Sequence, residues 1–122
     1  MPVRIRYKTR YQGSVTPSAL NTETDVINLG SQPDDYIVEG YISLKNLASG
    51  DTVIIRVYMS ADGSTRDKSD EMTLSGPVSV PIVRIPATTL PYNGLFRVTV
   101  TQTAGTLRAY PYTFIVQVME QI

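Results

Sequence analysis

Every apolar run in this chain is short and ends at a turn signal, which leaves little room for any fold class but all-β. Turn-forming clusters recur roughly every 8 to 15 residues. The runs between them are rich in Val, Ile, Thr and Tyr and tend to alternate with period two, the pattern of half-buried strands in a sandwich or barrel. Apolar spacing of three and four never persists long enough for a helix, and Thr16–Leu20 gives at most one turn.

Eight strands are expected. The first, about 3 to 12, sets Val3, Ile5 and Tyr7 against Arg4, Arg6, Lys8 and Arg10, so that the four cations share one face. A short run at about 24 to 29 precedes the turn Gly30–Asp35. In Tyr36–Lys45, one face carries Tyr36, Val38, Gly40, Ile42 and Leu44, and the other carries Ile37, Glu39, Tyr41, Ser43 and Lys45. Thr52–Ser60 is the strongest strand, with Val53, Ile55, Val57 and Met59 opposing Ile54, Arg56 and Tyr58. A charged run around Asp70–Leu74 reads as an edge strand, since charge on an edge discourages pairing with other chains. Val78–Ile85 contains Pro81, which cannot donate to a ladder and points to an edge or a bulge. Pro86–Gly94 reads as a loop, and Leu95–Thr103 and Leu107–Met119, flanking Ala104-Gly105, read as a hairpin. The expected architecture is one domain over residues 1–122, an eight-stranded antiparallel β-sandwich of jelly-roll or immunoglobulin-like topology with a basic N-terminal strand or arm at about 2–12.

The 122 residues include no His, Cys or Trp. Their absence removes the Ser/His/Asp triad, the thiolate nucleophile, the usual zinc ligands and the imidazole proton switch. Neither an enzyme nor a cofactor is expected. Asp62, Asp67, Asp70 and Glu71 offer oxygen ligands for a hard cation, but Ser64 and Arg66 fall where an EF-hand loop needs acids, so no metal site is expected either. Asp34-Asp35 reads as a turn former, because adjacent side chains in an extended segment point apart. Met1–Lys8 lacks the apolar segment of a secretory leader, and no window approaches the ~20 apolar residues of a membrane span, so neither a leader nor a membrane partner is expected.

Charge is balanced overall, at 11 basic and 11 acidic residues, but not along the chain. Residues 1–20 hold Arg4, Arg6, Lys8 and Arg10 and no acid, which leaves an acidic remainder. A basic arm on an acidic body suits docking on a neighbouring subunit, and nucleic acid is not expected as a partner. Eight tyrosines against two phenylalanines fit a sheet surface, and a Tyr-lined patch could also stack sugars. Several strands are apolar on both faces, notably at Ile54 and Tyr58 and at Ile115 and Met119, whereas a two-layer sandwich buries only one face of each sheet. The expected interface set is therefore Val3, Arg4, Ile5, Arg6, Tyr7, Lys8, Arg10, Ile54, Tyr58, Ile115 and Met119. The expected assembly is a homo-oligomer, a trimer or a larger ring.

The run from Tyr36 through Tyr58, together with Phe96–Thr106, resembles small proteins encoded by tailed phages and archaeal viruses, and the resemblance spans about residues 36–118. It implies a virion-associated β-sandwich, a minor capsid, decoration or spike component assembled in the host cytoplasm, with a major capsid protein as a second partner. The competing expectation from the tyrosines is a carbohydrate-binding or adhesion module.

Overall fold

The computed structural model describes residues 2–122 and is all-β. Its strands are β1 (Val3–Val15), β2 (Thr24–Asn28), β3 (Tyr36–Ser43), β4 (Thr52–Met59), β5 (Asp67–Ser75), β6 (Ile82–Leu90), β7 (Arg97–Ala104) and β8 (Tyr110–Gln121). They form two four-stranded antiparallel sheets, ordered β1-β8-β3-β6 and β2-β7-β4-β5. Among the described residues no helix forms, and Thr16–Leu20 is a bend.

The pairing follows one rule. β1 pairs with β8, β2 with β7, β3 with β6 and β4 with β5, as if the chain were folded once into a long ribbon. The ribbon then wraps so that β3 also meets β8 and β4 also meets β7. This is the jelly roll, and it decides between the two sandwich topologies, because an immunoglobulin-like sandwich keeps several consecutive strands side by side whereas here only β4 and β5 are neighbours.

The core lies where the alternation puts it. Tyr36, Val38 and Ile42 of β3 and Phe114, Val116 and Val118 of β8 meet Val53 and Ile55 of β4 and Val98 and Val100 of β7, all buried. At about 1.5–3 kcal/mol for each fully buried large apolar side chain, these inner faces are the main source of stability. β5 and β6 lie at the sheet edges, as their charges and Pro81 suggest.

Four expectations are corrected. β7 and β8 are not a hairpin. They belong to opposite sheets, and Ala104–Ala109 crosses the end of the sandwich on a polar anchor described below. Pro86–Leu90 is not loop but the second half of β6, which accommodates Pro86 at a bulge: Val38 pairs with Thr88 and Gly40 with Ile85, so Glu39 faces two residues of an edge strand that can spare the donor. The charged strand β5 starts earlier than the sequence suggests, at Asp67. The fourth correction concerns β1. A register shift between Ile5 and Tyr7 sets Ile5 opposite Met119 and Tyr7 opposite Val118. Paired residues point to the same face, so Tyr7 turns inward with the buried Val118 while Val3 and Ile5 join Lys8 and Arg10 on the outer face. The four cations therefore do not share a face, and Arg4 lies on the inner side.

Candidate functional site

The expected interface residues fall into two groups on opposite sides of the sandwich. Val3, Ile5, Lys8, Arg10, Ile115 and Met119 are brought together on the outer face of the sheet containing β1, where Ile5 pairs with Met119 and Arg10 with Ile115. Val3 and Ile5 are 59% and 45% exposed, so this surface has apolar area unpartnered in the single chain. Arg4 and Arg6 reach Glu120 of β8 at 2.7 Å and 3.8 Å, which ties the basic strand to its own body. Tyr7, with Tyr11, stays substantially exposed on the inner side, because the facing strand β2 has 5 residues against the 13 of β1 and does not cover them.

Ile54 and Tyr58 lie on the outer face of the other sheet. Tyr58 is already occupied: its hydroxyl donates to Glu23 at 2.5 Å, and the Arg97 guanidinium stands 5.3 Å over its ring. Around it runs a network in which Arg56 pairs with Glu71 at 2.6 Å and with Glu23 at 3.8 Å, and Arg97 pairs with Asp25 at 2.6 Å. Burial pushes the Glu23 carboxyl up, but the donors Thr99 and Tyr58 and the two nearby guanidiniums leave it below its ordinary value. This face satisfies itself.

The sequence reading missed a second group of residues on the outer face that carries β1. A depression of about 220 Å³ is lined by Glu39, Tyr41, Arg84, Thr113 and Ile115, and a neighbouring one of about 360 Å³ adds Gln12, Lys45 and Ile82. Tyr41 stands between them, 47% exposed. The alternation in β3 had already put Tyr41, Glu39 and Lys45 on this face. What it could not supply was Arg84, which the bulged strand β6 sets opposite Tyr41. Among the described residues, Lys8, Arg10, Lys45 and Arg84 make no ion pair, and all four belong to this face.

The acidic candidates have structural duties. Asp62 caps its own loop, accepting from the backbone amides of Thr65 and Ser64 at 2.8 Å and 2.9 Å, which holds its carboxyl far below the usual range. Asp35 accepts from the Tyr92 amide at 3.1 Å, and Asp34 accepts from the Asp35 amide at 2.7 Å. Among the described residues no group of three or more acids is placed to hold a metal ion.

One buried polar cluster escaped the sequence reading altogether. Asp51, 2% exposed, accepts from the Ala48 amide at 2.9 Å, the Arg108 guanidinium at 2.7 Å and the Thr106 amide at 3.0 Å. Beside it Gln102, fully buried, accepts from the Tyr110 hydroxyl at 2.7 Å and the Arg108 amide at 3.1 Å and donates to Ala104 and Thr106 carbonyls. Burial, followed by the Asp51 charge, pushes the Tyr110 phenol up to about 12. These bonds turn the chain from β7 across to β8. With every oxygen of Asp51 engaged by donors of its own chain, the cluster is an anchor and offers no reactive group.

The anchor predicts an acid dependence. The Ala48 amide, then Arg108, hold the Asp51 carboxyl below its ordinary value in the folded chain. The unfolded state then binds the proton more readily, so this contribution is complete above about pH 4 and is lost as pH falls through the folded value. Thermal melts between pH 7 and pH 2 should show stability dropping below pH 4, with a shallower drop for Asp51→Asn. Parallel profiles for the two proteins would remove Asp51 as the source.

No protein-family model matches the chain, and no curated protein matches it. Solved structures do. A structure of the infectious bursal disease virus Gx strain superimposes at TM-score 0.50 and 11% identity, covering 95% of this chain and 32% of that one. The VP2 subviral particle of infectious bursal disease virus gives TM-score 0.49 at 10% identity, covering 95% and 33%. A chain from the disulfide-linked pili of Bacillus endospore appendages gives 0.48 at 13% identity, covering 91% and 88%. The chain thus spans about a third of the length of the viral chains it matches. At such identities the shared property is the fold, an eight-stranded sandwich of two antiparallel sheets.

Proposed function

We propose that this chain is a structural protein of a viral particle, a minor capsid, decoration or spike component that works by self-association and by docking on a capsid shell, with no enzymatic activity of its own. The observation that carries the reading is β1: a 13-residue edge strand that leaves Val3, Ile5, Tyr7 and Tyr11 exposed over both of its faces. A strand of that length with an open edge and uncovered apolar side chains is a liability in a lone sandwich and an asset in an assembly. The fold likeness to the infectious bursal disease virus structure supports the same reading, although it extends over 32% of that chain.

A second reading rests on Tyr41. Its exposed ring, with Arg84, Glu39 and Thr113 around a depression of about 220 Å³, combines a stacking surface with hydrogen-bonding groups, as a sugar site does. Sedimentation equilibrium and a glycan array separate the two. The particle reading expects a concentration-dependent oligomer and no glycan signal. A monomer from micromolar to millimolar concentration that binds a defined sugar, with the signal lost in Tyr41→Ala, would establish the second reading in its place.

A further inference from the structure

The open edge of β1 has a definite backbone pattern. The Met119 amide donates to the Asp35 carbonyl, on the β3 side of β8. Backbone groups alternate in direction along an antiparallel strand, so Val118, Val116, Phe114 and Tyr112 are the residues of β8 that bond to β1, through Tyr7, Thr9, Tyr11 and Gly13. The residues between them, Lys8, Arg10, Gln12 and Ser14, therefore turn their amides and carbonyls out of the sheet. β1 ends its sheet, and no described strand takes up these groups. The same alternation sets Tyr7, Tyr11 and Val15 on the inner side, where the two tyrosines are left exposed.

We propose that β1 pairs with β1 of a second copy, antiparallel and about a two-fold axis at Tyr11, so that the two sheets join into one of eight strands. This inference rests on the self-association reading above and specifies its interface. Side chains decide the register. Paired residues share a face, so the axis must pass through a residue and not between two. Along the regular stretch from Tyr7 to Val15, an axis at Lys8 or Arg10 sets a cation against its own copy, and an axis at Thr9 sets Lys8 against Arg10. Like charges directly opposite are destabilising, which excludes all three. An axis at Tyr11 avoids such pairs and still uses the whole stretch, whereas an axis further along shortens the ladder. Charge on an edge strand usually guards it against pairing, and here it leaves one long register open.

In that register Arg10 meets Gln12 of the second copy and Lys8 meets its Ser14. These are the residues whose amides and carbonyls point outward, so each outward-facing group in the stretch gains a partner. On the inner side Tyr11 meets Tyr11 and Tyr7 meets Val15, which covers the aromatic surface that β2 is too short to reach. The nearest like charges, the two copies of Arg10, stand diagonally and exposed, where salt screens them. The contact uses one patch twice and closes as a dimer, in place of the trimer or ring expected from the surplus apolar residues.

The chain has no cysteine, so a single introduced thiol reads the register directly. In a two-fold antiparallel ladder only the residue on the axis meets its own copy, and at a non-hydrogen-bonded position such as Tyr11 the Cα atoms lie about 4.5 Å apart, within disulfide reach. Under mild oxidation of the full chain, Tyr11→Cys should cross-link at least about tenfold faster than Thr9→Cys or Tyr7→Cys, which the register holds away from their own copies. A mixture of Tyr7→Cys and Val15→Cys should cross-link between the two variants. Gln12→Pro tests the edge independently. Its amide faces out of the sheet, so the variant loses no bond to β8 and should keep its fold by circular dichroism, but proline cannot donate across the new ladder. Sedimentation velocity should show its dissociation constant raised on the order of tenfold or more. If the wild-type chain assembles and Gln12→Pro assembles equally well, or Tyr11→Cys cross-links no faster than Thr9→Cys, the β1–β1 contact is wrong while self-association stands. If the wild-type chain is monomeric from micromolar to millimolar concentration, both readings fall together.

Discussion

Replacing Gly40 with valine should destabilise the sandwich by about 3 kcal/mol, the upper part of the usual range for overpacking, and lower its melting temperature by on the order of 10 °C. Gly40 is buried in β3, paired with Phe114 of β8. A Cβ there would run into the carbonyl oxygen of Thr113 and stand 2.5 Å from the Phe114 ring. Neither neighbour can give way cheaply. The Thr113 oxygen is backbone, and Phe114 is fully buried in the centre of the core. Glycine is thus required by close approach and not by backbone conformation, since its φ is not in the left-handed region. Gly30 is the matched control: nothing lies within 4 Å of its Cβ position, and Gly30→Ala should leave the midpoint unchanged within error. A Gly40→Val protein that melts with the wild type would mean that β3 and β8 separate more easily than their pairing implies.

Gln102→Leu should cost a similar amount, about 3–4 kcal/mol, by a different mechanism. Leucine fills nearly the same volume, so the loss is one of hydrogen bonds. The Tyr110 hydroxyl and the Arg108 amide lose their acceptor inside the protein, and the carbonyls of Ala104 and Thr106 lose a donor. The exposed Thr106 can turn its carbonyl to water, but Tyr110 is fully buried and cannot. An unsatisfied buried polar group costs about 1–3 kcal/mol, which makes the hydroxyl the largest part of the penalty. Tyr110→Phe in the Gln102→Leu background should therefore recover about 1 kcal/mol, although the same change in the wild type is destabilising. Urea titration of the four proteins completes the cycle. A Gln102→Leu midpoint close to wild type would show that the β7–β8 crossing does not depend on this anchor.

The local order of this protein is legible in the spacing of its residues. Strand alternation has a period of two and needs no knowledge of partners, so the inward residues of β3, β4, β7 and β8 could be named from spacing. The edge character of β5 and β6 followed from charge and proline for the same reason. Contacts between residues far apart in the chain emerge only when the two sheets assemble. Ala104-Gly105 carries a good hairpin signal, yet β7 and β8 part company, because the polar anchor of Asp51 and Gln102 and the better apolar partners in β4 and β3 outweigh a turn propensity. A one-residue shift at Arg6, set by pairing with β8, reverses which side chains of β1 face out, and no pattern within residues 3–12 announces it. The candidate surface was legible in the same proportion. Ile115, Met119 and the basic strand were readable as surplus, but the pairing of Arg4 with Glu120, 116 residues away, and the spending of Tyr58 on Glu23 and Arg97 were not. A charge's partner is set by the fold and not by its neighbours in sequence, so which cations remain free to meet another molecule is decided only once the sheets have closed.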